Sequence, residues 1–175
     1  MRFGDYSNRE GRFDMDVRVF LSKPPFSYRD VSEDDLRLFC AALTHDSYSN
    51  EAADRGEKAE SYERLEFLGD AVLGLIVSEH AYSRTSFSEE GMTDYKKSRV
   101  SNERLSDMVL EYGMGVDSIL RVGKAQVKDG LKDVQVKMRA DCFEALLAAV
   151  YLTRGMDEAS RIVYEVEGMG DNCSS

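Results

Sequence analysis

The sequence is poor in residues that would mark several classes of protein. With 2 prolines in 175 residues, little interrupts helix, and 2 histidines are too few for a histidine-based metal cluster. The 3 cysteines, Cys40, Cys142 and Cys173, are odd in number and lack metal-ligand spacing. Two of them stand in apolar stretches, so they read as reduced thiols. No apolar run approaches the roughly 18 to 20 residues needed to span a bilayer, and Met1 to Asp16 is too polar for a signal peptide. These absences give the expectation of a cytoplasmic protein with no membrane partner. Positive charge is short as well: 23 Lys and Arg stand against 33 Asp and Glu, a formal net charge of −10. That balance argues against a surface that grips nucleic acid by bulk charge and, taken alone, points to a cytosolic enzyme.

What is present fits one soluble domain with a sizeable core: 42% of residues are hydrophobic and 32% charged. The chain divides into a polar extension over 1–25, a domain over 26–167 and a flexible tail over 168–175. In the extension, the alternation Val17, Val19, Leu21 fits one edge strand or nothing regular. Ser32, followed three residues later by Asp35, predicts the start of a helix through Leu36, Leu38, Phe39 and Leu43. The polar stretch Ser47 to Ser61 reads as a loop. Helices are predicted from Tyr62 to about Tyr82, from Ser88 or Gly91 to Arg99, from Ser101 to Tyr112 with Gly113 as a stop, and from Val134 to Thr153 with Gly155 as a stop. A last amphipathic stretch spans Asp157 to Val166. With no internal repeat and no low-complexity tract, the expected fold class is all-α.

Two of these helices carry acids where acids are costly. On a wheel of residues 62–82, Glu63, Glu66 and Asp70 share one narrow face, opposite the stripe of Leu65, Leu68, Val72, Leu75 and Ile76. A solvated acidic face is the bland reading. Against it, Glu66 and Asp70 are like charges at i, i+4, and no Lys or Arg lies three or four residues from any of the three acids. Phe67, Ala71 and Gly74 border them, as on a face that meets another element. In the helix from Val134 to Thr153, apolar residues surround the axis from residue 140 onward, leaving Asp141 and Glu144 as the polar exceptions. A helix apolar all round is buried, and ionised carboxylates do not survive burial unpaired. Lys137, four residues before Asp141, answers one of them and leaves Glu144 unanswered. If the two acidic faces meet, a divalent cation would neutralise the cluster. Oxygen ligands without nearby His or Cys select a hard ion, Mg²⁺ or Mn²⁺. Phosphodiester hydrolysis is the natural chemistry of such a centre, though phosphatases, nucleotide pyrophosphohydrolases and nucleases all use one.

The residues themselves carry a more specific signal. Glu63-Arg-Leu-Glu66-Phe67-Leu-Gly-Asp70-Ala-Val-Leu73 resembles the signature motif of the ribonuclease III family. Further landmarks follow in order: Ala42-Leu-Thr-His45-Asp-Ser-Tyr48, Asn50-Glu51, Glu90-Gly91, Val100-Ser-Asn102, Gly123-Lys124 and Ala140-Asp141-Cys-Phe-Glu144-Ala145-Leu. The resemblance covers about Phe26 to Arg154. It implies an all-α endonuclease domain that acts as a homodimer in RNA processing. Such a domain cuts double-stranded RNA with Mg²⁺, or Mn²⁺ in its place, to leave 5′-phosphate and 3′-hydroxyl ends. By motif position it makes Glu66, Asp70, Asp141 and Glu144 the catalytic metal ligands and Glu63 and Glu90 accessory acids. It makes Phe67 a residue that inserts into the partner subunit. RNA contacts would come from Lys96, Lys97, Arg99, Asn102, Lys124 and Lys128, within a wider set that includes Arg104, Arg121, Lys132, Lys137 and Arg139.

Two departures from the family pattern stand out. Gln126 falls where the family often has Glu, and the 21 residues after Arg154 are too few for the family's usual double-stranded-RNA-binding domain. Weak and strongly salt-dependent RNA binding is therefore expected. Two alternatives remain: a non-catalytic double-stranded-RNA-binding relative, which would be expected to lose a core carboxylate, and an all-α nucleotide pyrophosphohydrolase, whose acidic pairs lie closer together in sequence. His45, at the end of an apolar helix, is expected to be a hydrogen-bonded structural residue.

Overall fold

Helix α8 (Val136–Arg154) runs through the centre of the molecule, and its sequence explains the position. Every residue from Met138 to Val150 is buried, as a helix apolar on all sides requires. The computed structural model describes residues 4–169, with side chains from residue 11 onward. Around α8 pack α4 (Glu63–Arg84), α6 (Asn102–Tyr112), α9 (Met156–Glu167) and α2 (Glu33–Ala42). Helix α4 turns Leu65, Val72, Leu73, Ile76 and Val77 inward, and α9 contributes Ala159, Ile162, Val163 and Val166. Helix α5 (Glu89–Arg99) lies along α4.

The helix ends follow the sequence closely. Ser32, Ser88 and Ser101 each accept a hydrogen bond from the amide three residues on, at 3.1, 3.2 and 3.2 Å. Such a cap answers one of the amides that a helix start leaves unpaired. Gly113 closes α6 in the left-handed region, at φ 73°. The all-α reading holds. Among the described residues the paired strands are one hairpin, β1 (Val127–Lys128) against β2 (Leu131–Lys132), antiparallel, turning on Asp129-Gly130. Both turn residues have positive φ, 51° and 79°, as a two-residue hairpin loop of this kind demands.

Two segments differ from expectation. The alternation at Val17, Val19 and Leu21 lies not on a strand but within α1 (Gly4–Leu21). Phe13, Val17, Phe20 and Leu21 are spaced on one helical face and enter the core, while Val19 is exposed; tertiary burial of that face overrides the weak period-two signal. The stretch taken as a loop begins with α3 (Asp46–Asp54). This helix is polar and buries only Ala52, so no apolar period announces it. The short α7 (Val116–Ile119) precedes the hairpin. The expected tail reaches past the described residues, and no helix among them is long and apolar enough to cross a membrane.

Candidate active site

The site forms where α4 and α8 come closest. A Cβ built at Gly69 would overlap the backbone carbonyl group of Glu144 outright, so only glycine permits the approach. Gly69 sits between Glu66 and Asp70 in sequence, which makes the closest contact of the two backbones also the meeting point of their acids. Glu66, Asp141 and Glu144 each offer a carboxylate oxygen, and these oxygens lie within 4.8 Å of one another. Asp141 and Glu144 are 6% and 5% exposed, and Glu66 is half-buried.

Each acid is answered differently. Lys137 places its ammonium 2.8 Å from both carboxylate oxygens of Asp141, one helical turn away. The Tyr62 hydroxyl, buried beside them, donates to Asp141 Oδ2 at 3.4 Å. Burial, and then the negative charge of Asp141, push the Tyr62 phenol far up, so it stays a donor. Among the described residues no hydrogen bond or ion pair reaches the carboxylate of Glu144. Burial, followed by the charges of Asp70, Glu66 and Asp141, pushes its carboxyl up to about 8. Burial and then Asp141 raise Glu66 in the same direction. In both cases the Lys137 charge opposes the rise.

The donor set fits a hard divalent cation. Three carboxylates converge with one ammonium among them, and the most buried of the three has no partner of its own. Glu66, Asp141 and Glu144 are placed to hold such an ion. Asp70 is exposed and stands outside that trio, yet of the neighbouring charges its own acts most strongly on Glu144. A cavity of about 400 Å³ opens beside the acids, and Glu63, His45 and Gln126 stand in its wall. The Gln126 side-chain oxygen is buried there without a hydrogen-bond partner among the described residues. Glu90 is not brought into the cluster; it occupies the exposed first turn of α5.

Loops from distant parts of the chain are tied together next in sequence to the cavity-lining residues His45, Tyr62 and Gln126. Thr44 forms a parallel bridge with Arg121, and the Tyr62 amide donates to the Thr44 carbonyl at 2.9 Å, which sets the start of α4. Glu51 accepts from the Lys124 amide at 2.6 Å, and Ser47 Oγ accepts from the Gly123 amide at 2.8 Å. The motif pairs Asn50-Glu51 and Gly123-Lys124 are thus two sides of one joint. His45 is structural, as expected: its Nδ1 accepts from the Ser47 amide at 3.1 Å and caps α3. The sequence marks Tyr62 only as the start of this helix, because its partner Asp141 lies 79 residues on and no local pattern encodes that contact.

The basic residues separate into two groups. Lys97 and Lys124 are exposed, as is the neutral Asn102, and Lys96 reaches back to α4 to lie against Gly74. The others have structural partners. Arg99 pairs with the buried Glu167 at 2.7 Å and lies over the Tyr95 ring, and Arg104 joins the same carboxylate at 3.3 Å. Arg139 is held by Asp117 at 2.6 Å, Lys132 by the Ser118 carbonyl at 2.7 Å, and Lys128 by Asp133 at 2.7 Å across the exposed hairpin. Phe67 projects from α4 beside Glu66 and is 81% exposed.

Comparison with known proteins agrees with this fold. Residues 35–166 match the family model described as Ribonuclease-III-like. The chain is 39% identical over 133 residues to Ribonuclease 3 of Oleidesulfovibrio alaskensis, covering 75% of this chain and 56% of that protein. To Ribonuclease 3 of Geobacter metallireducens it is 42% identical over 138 residues, covering 78% and 53%. The chain thus spans a little over half the length of these curated relatives. The nuclease domain of ribonuclease III from Campylobacter jejuni, described for flexibility in a region involved in dimer formation, superposes with a TM-score of 0.66. It is 23% identical, over 86% of this chain and 92% of that one, and supports the fold. The family model matched over three quarters of the chain, on an all-α frame, places this protein in the ribonuclease III family.

Proposed function

We propose that the protein is an endoribonuclease that hydrolyses double-stranded RNA in RNA processing, giving 5′-phosphate and 3′-hydroxyl ends, and that it acts as a homodimer with Mg²⁺, or Mn²⁺ in its place. The observation that carries this reading is Glu144: a buried carboxylate with no hydrogen-bond partner among the described residues, within 4.8 Å of two others. Burying that charge is costly unless a cation or phosphate-bound metal completes the site. Glu66, Asp141 and Glu144 would hold the ion, with Asp70 beside them. Bound there, a hard cation acidifies water and withdraws charge from phosphoryl oxygen.

The chain's own groups do the rest. Tyr62 holds the Asp141 carboxylate through one of its oxygens, and Lys137 spans both oxygens until a cation enters. The roughly 400 Å³ cavity beside the acids is open to a backbone phosphate. Lys97, Asn102 and Lys124 are free to contact RNA backbone, a mode that reads shape rather than sequence. With 23 Lys and Arg against 33 Asp and Glu, affinity should be modest and should fall with salt. Phe67, exposed beside the acids, is the side chain offered to a second copy.

The test is cleavage of long double-stranded RNA by the purified chain with Mg²⁺ or with chelator, alongside Glu144→Ala. Mg²⁺-dependent cutting by the parent and a loss of at least about a thousandfold in the variant are expected. Equal cutting by both, or none with Mg²⁺, would overturn the assignment, and hydrolysis of free nucleotides would move it to a pyrophosphohydrolase.

A further inference from the structure

We infer that Lys137 is a built-in counter-ion that holds the carboxylate cluster in its metal-free state and competes with the divalent cation for Asp141, setting the metal affinity of the site. The inference rests on the metal-centre reading above. Lys137 Nζ stands 2.8 Å from both Oδ1 and Oδ2 of Asp141, so one ammonium spans the carboxylate that a metal would need. The contact is not a pairing with one acid alone, because the charges of Asp141, Glu66 and Glu144 all act on Lys137. No other cation forms an ion pair with these three acids among the described residues.

The side chain is also suited to leaving. Its side chain is 68% exposed while the Asp141 side chain is 9% exposed, so the acid is fixed and the ammonium is tethered at the mouth of the site. A lysine stem rotates freely and its head is readily hydrated, so withdrawal into water costs little. A divalent cation and an ammonium repel each other and cannot share the same two oxygens at contact distance. Cation entry therefore expels Lys137 from Asp141, and the free energy of the lost pair is subtracted from metal binding. In the metal-free protein the same pair screens three carboxylates that would otherwise repel one another.

Metal binding to the full chain, without RNA, tests this. Calorimetric titration with MgCl₂ and MnCl₂ would be run on the parent, on Lys137→Met, which keeps the stem and removes the charge, and on Lys137→Arg, which keeps the charge. Lys137→Met should bind either ion about three- to fivefold more tightly, while Lys137→Arg should bind no more tightly than the parent. Thermal melts give a second readout. Lys137→Met should melt lower than the parent in chelator and level with it at saturating metal, whereas loss of a merely helix-stabilising pair lowers both equally. An affinity within twofold of the parent, weaker binding by Lys137→Met, or an equal drop with and without metal would overturn the inference while leaving the metal centre intact. Absence of metal binding by the parent would overturn both.

Discussion

Glu144 concentrates the electrostatic cost of the site in one side chain. Its carboxyl is pushed up to about 8 by burial and by the three neighbouring acids, against an ordinary value near 4.5. The folded protein therefore keeps a proton that the unfolded chain has lost, and stability falls as pH rises through that interval. In chelator, Glu144→Gln should melt higher than the parent at pH 8, by roughly 3–6 °C, and the difference should close toward pH 4.5. Melting curves across that range check it, and a gap that does not change with pH would assign the effect to packing. At this scale much was legible in the sequence. The i, i+4 pairing of Lys137 with Asp141 and the isolation of Glu144 follow from covalent spacing on one helix. The fate of the other cations did not follow: Arg99 finds its acid 68 residues away and Arg139 finds its own 22 residues away, and no local pattern encodes such partners.

Between elements, the decisive feature is the contact of α4 with α8. Gly69 is a glycine in the interior of a helix, where it costs about 1 kcal/mol relative to alanine, and the close approach to the Glu144 backbone is what it makes possible. Gly69→Ala should force the helices apart and destabilise the fold by about 2–3 kcal/mol, visible as a lowered urea midpoint with little change in slope. Cation binding should fall with it, because the two halves of the carboxylate cluster ride on the separated helices. The long helices were readable from their apolar period and their caps, since Ser88, Ser101 and Gly113 carry local signals. Helix α1 was not, because its four buried residues specify a helix only once the core they enter exists. Helix α3 was not either: it is capped by His45 and held by the loop at Gly123 and Lys124, both outside its own composition.

For the molecule as a whole, the acidity of the sequence has a location. Glu63, Glu66, Asp70, Asp141 and Glu144 gather at one junction, so part of the −10 belongs to a site that a cation would neutralise. Beside that junction α4 presents Phe67, with Leu75 and Tyr82 also exposed along the helix. An aromatic ring left 81% in water is a ready anchor for a second copy. Phe67→Ala should weaken self-association by about 2 kcal/mol, near thirtyfold in dissociation constant, with little loss of monomer stability. Sedimentation velocity across a concentration series reads the first quantity and melting at high dilution the second; an unchanged association would remove Phe67 from the interface.

The joint between Glu51 and the Lys124 amide, with the strand-like bridge from Thr44 to Arg121, ties early chain to late chain around the cavity. The clustered carboxylates are contributed by α4 and α8, two segments that synthesis separates in time. A chain still emerging, or one caught partly folded, holds half of the carboxylate cluster, and the two halves meet only when α8 has docked on α4.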